Sequence, residues 1–201
     1  MTAMKTVRYV LWAAVAGVVA VAATIFVLNQ LGEDSPVASI ASIGGPFKLT
    51  DQHGQTVTDA DLKGHPSAMI FGYTFCPDVC PTTLFEMTGM LEKLGPDADK
   101  LKVYFVTVDP ERDTQQVLAD YLQAFDPRIE GLTGSREAVD EALTAYRVFS
   151  RKVERDDGPY LMDHTAGVYL LDSDGTFTGT IAYQENEDTA LAKLKRLVGG
   201  A

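Results

Sequence analysis

The stretch Ser67-Ala68-Met69-Ile70-Phe71-Gly72-Tyr73-Thr74-Phe75-Cys76-Pro77-Asp78-Val79-Cys80-Pro81 runs from an apolar segment into two cysteines bracketed by prolines. A short, unbroken apolar run suits a strand buried on both faces. Pro81 suits a first helical turn, and Leu84, Met87, Met90, Leu91 and Leu94 continue one apolar helical face. The cysteines therefore sit where a core strand hands over to a helix.

Working outward, Leu101 to Val108 reads as a second buried strand. Helical spacing follows over 114–125, in Val117, Leu118, Tyr121, Leu122 and Phe125, and again from Ser135 to Tyr146. Gly167 to Leu171 and Thr176 to Ile181 bracket Asp172-Ser173-Asp174-Gly175, a strand–turn–strand pattern, and Asp188 to Val198 closes as a helix. Upstream, Phe47-Lys48-Leu49 and Gln55-Thr56-Val57 flank a turn and read as a small hairpin. This order predicts an α/β protein, a thioredoxin-like fold with an N-terminal hairpin and a helical insertion. The first two core strands should be parallel, joined by a right-handed crossover through the cysteine helix. Functional residues belong at the carboxyl ends of such strands, where Cys76 lies.

Tyr9 to Leu28 carries no charge. Twenty apolar residues in a helix span about 30 Å, enough to cross a bilayer. Lys5 and Arg8 precede the stretch while Glu33 and Asp34 follow it, so the N-terminus should stay cytoplasmic and the rest be exported. A cleaved signal peptide with Ala20-Val21-Ala22 as its site is the competing reading. The apolar run continues past that point, which favours an anchor. The expected organisation is a cytoplasmic N-terminus at 1–8, a transmembrane helix at 9–28, a tether at 29–46 and a globular domain at 47–201. Lys5 and Arg8 are the only charges before residue 33, so the remainder holds 15 basic and 28 acidic residues, a net of −13. That balance argues against nucleic acid as a partner.

Two cysteines in an oxidising compartment invite a disulfide. With the cysteines four positions apart the closed loop is tiny and constrains the unfolded chain little, so Cys76 and Cys80 read as chemical rather than structural. A helix N-terminus favours thiolates, the form that ligates metal or attacks a disulfide. Two soft sulfurs plus an imidazole suit copper. Of three histidines, His53 in a turn and His65 beside Gly64 and Pro66 read as surface residues. His164, just before a core strand, should face the cysteine loop in this fold, although a lone histidine is more often structural than a ligand. Asp163 is a candidate to orient a neighbour or cap a loop, and Met162 reads as packing.

Gly72 to Leu84, Val108-Asp109-Pro110-Glu111-Arg112-Asp113-Thr114 and Asp163-His164-Thr165 occur in an order that resembles the Sco/SenC family of copper-binding assembly factors. The resemblance spans residues 40–198 and the N-terminal anchor. It implies a thioredoxin-like fold and binding of Cu(I) or Cu(II) by Cys76, Cys80 and His164. It also implies a role in maturing the CuA centre in subunit II of cytochrome c oxidase, with another protein as copper donor. The implied location is the bacterial inner membrane, single-pass with the domain periplasmic, or the equivalent topology in an organelle. Within the second motif, Arg112 and Asp113 are expected to pair with one another or to cap the next helix.

Two other readings use the same cysteines. A thiol–disulfide oxidoreductase would use Cys76 and Cys80 as a redox pair to reduce the oxidase's CuA cysteines, although three intervening residues depart from C-x-x-C. A peroxidase of peroxiredoxin type would share the fold, but Cys76 lacks that family's usual surroundings.

Overall fold

Six consecutive buried residues, Ser67–Gly72, form the strand at the centre of the molecule. The structure is a computed structural model and describes residues 12, 16–21, 23, 24 and 43–200. Its chain divides into residues 1–39 and 40–201. In the first unit, the described residues are helical and exposed. Among the described residues no helix is long and apolar enough to cross a membrane. The expected N-terminus at 1–8, most of the expected anchor at 9–28, and the tether up to residue 42 lie outside the described residues.

In the second unit the strands are β1 (Lys48–Asp51), β2 (Thr56–Thr58), β3 (Ser67–Gly72), β4 (Lys102–Thr107), β5 (Ile129–Thr133), β6 (Ser150–Arg155), β7 (Gly158–His164), β8 (Val168–Leu171) and β9 (Phe177–Ile181). The helices are α1 (Val79–Leu94), α2 (Gln115–Leu122), α3 (Arg136–Ala145) and α4 (Glu187–Val198). Seven strands make one sheet in the order β2-β1-β5-β4-β3-β8-β9, while β6 and β7 form a separate pair. β3 runs parallel to β4, with Gly72 opposite Thr107, and antiparallel to β8, with Ser67 opposite Leu171. The sheet is therefore mixed, as the element order predicts.

Local chemistry explains the helix starts. Thr114, Ser135 and Asn186 each accept a hydrogen bond from the backbone N–H three residues on, closing the first turns of α2, α3 and α4. α1 buries Leu84, Met87, Leu91 and Leu94 on one face. Each such side chain contributes about 1.5–3 kcal/mol on leaving water. That face fixes how the helix lies on the sheet and thereby where its first turn points.

Two features differ from the expectation. The expected helical insertion contains a strand, β5, which pairs with β4 and β1 in the main sheet. Ile-Glu-Gly-Leu-Thr is short and interrupted by Gly131, which carries little strand signal by itself. Residues 150–164, where the sequence predicts no strand, form the β6–β7 hairpin. β6 alternates no apolar residues, being mostly exposed, so period-two patterning does not reveal it.

Candidate metal centre

Cys76 and Cys80 occupy the turn from the carboxyl end of β3 into α1, Cys76 half-buried and Cys80 buried in the first helical turn. Both thiols are free. The Cys80 backbone N–H points back at Cys76 Sγ, 3.4 Å away. His164 ends β7 and presents Nε2 3.7 Å from Cys80 Sγ. One donor atom from each of Cys76, Cys80 and His164 lies within 4.8 Å of the other two. Among the described residues this is the group of His, Cys, Asp and Glu side chains close enough to hold a metal ion. The structure thus brings together the three residues singled out in the sequence.

Close approach depends on Gly72. A Cβ at that position would stand 2.8 Å from Cys80 Sγ and 2.7 Å from the Phe105 ring. The missing side chain is the space in which Cys80 sits against the sheet.

The two thiols differ electrostatically. Interaction with the Cys80 thiol, ahead of the His164 side chain and the Asp78 and Cys80 backbone, holds the Cys76 thiol down to about 3 against the opposing effect of burial. N–H groups of the first turn favour the anion there. The Cys80 thiol is pushed up, first by its hydrogen bond to Cys76 and then by burial. The two thiols are thus pushed in opposite directions, with Cys76 the one favoured as thiolate.

The loop before Cys76 is held by a residue whose role differs from the expectation. Asp113 neither pairs with Arg112 nor caps a helix. It is fully buried and accepts hydrogen bonds from Thr74 N–H (3.0 Å), Thr74 Oγ1 (2.6 Å) and Thr107 Oγ1 (2.7 Å). Burial raises its pKa, with the Thr74 and Thr107 donors opposing. Arg112 instead pairs with Asp109, and its Nη1 donates to the Tyr160 carbonyl at 2.9 Å. Tyr160 Oη in turn donates to Asp109 Oδ1 at 3.0 Å. Tyr160 was not a candidate in the sequence; its signal is lost because the hairpin carrying it has no visible period.

On the histidine side, Nδ1 lies 3.0 Å from the Thr165 carbonyl oxygen, so an N–H at Nδ1 leaves Nε2 as the free donor toward the cysteines. Tyr73 meets the His164 ring edge-on, with centroids 5.8 Å apart. Asp163 faces away and pairs with Arg151 on the exposed hairpin surface, so it does not orient His164. Met162 is buried packing, as expected. His53 is exposed, whereas His65 is half-buried rather than exposed, and neither lies in the three-residue group.

A donor set of two thiols and one imidazole fits copper, since thiolates select soft ions and imidazole suits copper as well. Comparison with known proteins agrees. The family profile described as SCO1/SenC matches residues 36–199. The SCO2-like protein RP587 of Rickettsia prowazekii is 39% identical over 137 residues, covering 67% of each chain. Mitochondrial relatives from Arabidopsis thaliana and Homo sapiens are longer, and the chain spans 46% of each. Among solved structures, Bradyrhizobium japonicum ScoI with copper bound is 51% identical with a TM-score of 0.72, over 77% of this chain and 99% of that one. BsSco, described as a disulfide-switch protein of the Sco family of cytochrome c oxidase assembly proteins, is 25% identical. Its TM-score is 0.62, over 80% of this chain and 95% of that one. The architecture is the thioredoxin-like α/β fold of these proteins. With the family profile covering most of its length and a relative matching over two thirds of it, the chain belongs to the SCO1/SenC family.

Proposed function

We propose that this protein is a copper carrier of oxidase assembly, which holds a copper ion between Cys76, Cys80 and His164 and delivers it to the CuA centre in subunit II of cytochrome c oxidase. One observation carries the reading: His164, 84 residues beyond Cys80 and on a separate hairpin, arrives 3.7 Å from its sulfur. A redox pair needs no such third donor. Kinship adds support, because the Bradyrhizobium relative holds copper and BsSco belongs to a family of oxidase assembly proteins.

Burial suggests the order of release. Cys76 and His164 are half-buried and Cys80 is buried. Incoming thiolates or imidazoles of the acceptor replace the two outer donors first, and Cys80 lets go last. Loading requires reduced thiols, because a Cys76–Cys80 disulfide removes both anionic donors. The 9–28 segment anchors the protein in an inner membrane with the domain on the periplasmic side, or its organellar equivalent; the uncharged run and its flanking charges support this. Copper itself comes from another donor protein.

The thiol asymmetry favours a second reading. A low-pKa, half-buried Cys76 beside a buried Cys80 is the arrangement of an attacking and a resolving thiol. In that role the Cys76 thiolate attacks a target disulfide and releases one target thiolate. Cys80 then displaces the second, leaving a Cys76–Cys80 disulfide and a reduced target. His164→Ala separates the two roles in cells. Loss of oxidase copper with this variant supports the carrier, while unchanged oxidase with His164→Ala but not with Cys76→Ser supports the reductase.

A further inference from the structure

Arg112 lies outside the three-donor group yet touches both segments that supply it. The cysteine turn leaves β3 in the main sheet, whereas His164 belongs to the two-stranded β6–β7 sheet, whose surfaces are largely exposed. Among the described residues no backbone pairing joins the two sheets. Beyond the three-residue link from β7 to β8, side chains hold the histidine arm in place.

The Arg112 guanidinium carbon sits 3.6 Å from the centroid of the Tyr160 ring on the arm, 4.9 Å from Phe75 and 5.6 Å from Tyr73 on the cysteine turn. Its Nη1 donates to the Tyr160 carbonyl at 2.9 Å, and its Nε is held by buried Asp109, which also accepts from Tyr160 Oη. Its Nη2 is buried with no hydrogen-bonding partner, and the rings of Tyr73, Phe75 and Tyr160 lie around the guanidinium carbon. Four residues from three segments thus converge on one guanidinium.

We propose that Arg112 is the positioning residue that pins the His164 arm to the cysteine turn and so sets how strongly the imidazole contributes to bound copper. This rests on the reading of Cys76, Cys80 and His164 as copper ligands. Because two thiolates suffice for much of the affinity of a soft ion, Arg112 matters more for Cu(II), which favours nitrogen donors, than for Cu(I).

The test uses the full chain in detergent, reduced and anaerobic, with Arg112→Met, His164→Ala and the double variant. Cu(II) and Cu(I) affinities are read by competition with chelators, and imidazole ligation by nitrogen hyperfine structure in the Cu(II) electron paramagnetic resonance spectrum. Arg112→Met lowers Cu(II) affinity by about 10–100-fold, the usual cost of losing a residue that orients a metal ligand. It lowers Cu(I) affinity less and weakens the nitrogen hyperfine signal. The double variant loses no more than His164→Ala alone, since both changes act through one ligand. Arg112→Lys recovers part of the loss by keeping the Asp109 pair and the cation over Tyr160. Additive losses in the double variant, or an unchanged hyperfine signal in Arg112→Met, overturn the proposal. Should Arg112→Met fail to fold, Tyr160→Leu removes the ring from the other side and carries the same expectations. A wild-type chain that retains no copper refutes the ligand assignment instead, an outcome the variants cannot mimic.

Discussion

Replacing Gly72 with alanine adds one methyl group where the structure has no room for it. The new Cβ would stand 2.7 Å and 3.1 Å from two atoms of the Phe105 ring and 2.8 Å from Cys80 Sγ, against an ordinary contact of 3.4–4 Å. Relief therefore needs movement of roughly 0.6 Å or more at Cys80, in a core packed too densely to yield freely. Overpacking of this kind costs about 1–3 kcal/mol. Metal sites tolerate ligand displacements of only about 0.2 Å, so copper affinity should fall as well. Gly89, in the same helix as Cys80, supplies the control, because a Cβ there meets nothing within 4 Å. Gly89→Ala should stabilise the protein by about 0.5–1 kcal/mol through helix propensity. Urea unfolding followed by circular dichroism measures both, and chelator competition measures copper. Gly72→Ala with wild-type stability and wild-type copper affinity would refute the argument that this glycine makes the site's space.

Three further outcomes follow from the electrostatics and hydrogen bonds. Alkylation of Cys76 in the reduced apoprotein should be nearly flat from pH 5 to pH 8, since the thiol is held down to about 3, roughly two units or more below that range. In Cys80→Ala the largest cause of that depression is gone, and the midpoint should move upward; an unmoved profile contradicts the role of Cys80 in holding the Cys76 thiol down. Asp126 has its pKa lowered first by hydrogen bonds from the Arg128 side chain, so its carboxylate stabilises the fold above the usual carboxylate range and loses that effect as pH falls through the lowered pKa. Asp126→Asn should accordingly be less stable than wild type at pH 7, with the gap closing in acid; a constant gap in pH-dependent unfolding argues against it. Thr74→Val removes the 2.6 Å hydrogen bond to buried Asp113 and should cost about 1.5–3 kcal/mol in chemical unfolding, the value of a hydrogen bond to a charged group.

Much of the centre was legible because chemistry-bearing residues stand at element boundaries. The apolar run 67–72 and the helical face after Pro81 place both cysteines at a strand-to-helix turn, which is where they are found. His164 was legible through its place before β8, but the hairpin that carries it was not, since β6 has polar residues where patterning would need apolar ones. Asp113 shows the same limit from inside the core. Its partners Thr74 and Thr107 lie 39 and 6 residues away, and only the parallel pairing of β3 with β4 brings them to one carboxylate. Arg112 was legible as part of a motif; its stacking on Tyr160 depends on the unseen hairpin. Short-range patterning reveals elements, whereas these contacts arise from how elements are stacked.

The most direct measurement is copper stoichiometry on the full chain, purified in detergent and kept reduced, beside Cys76→Ser, Cys80→Ser and His164→Ala. The account predicts one tightly held copper per wild-type chain, most of the affinity lost with either serine because hydroxyl is a poor ligand for soft copper, and weakened binding with the alanine. Tight copper binding that survives Cys76→Ser, or a wild-type chain that holds no copper while its cysteines cycle rapidly against a dithiol, would contradict it.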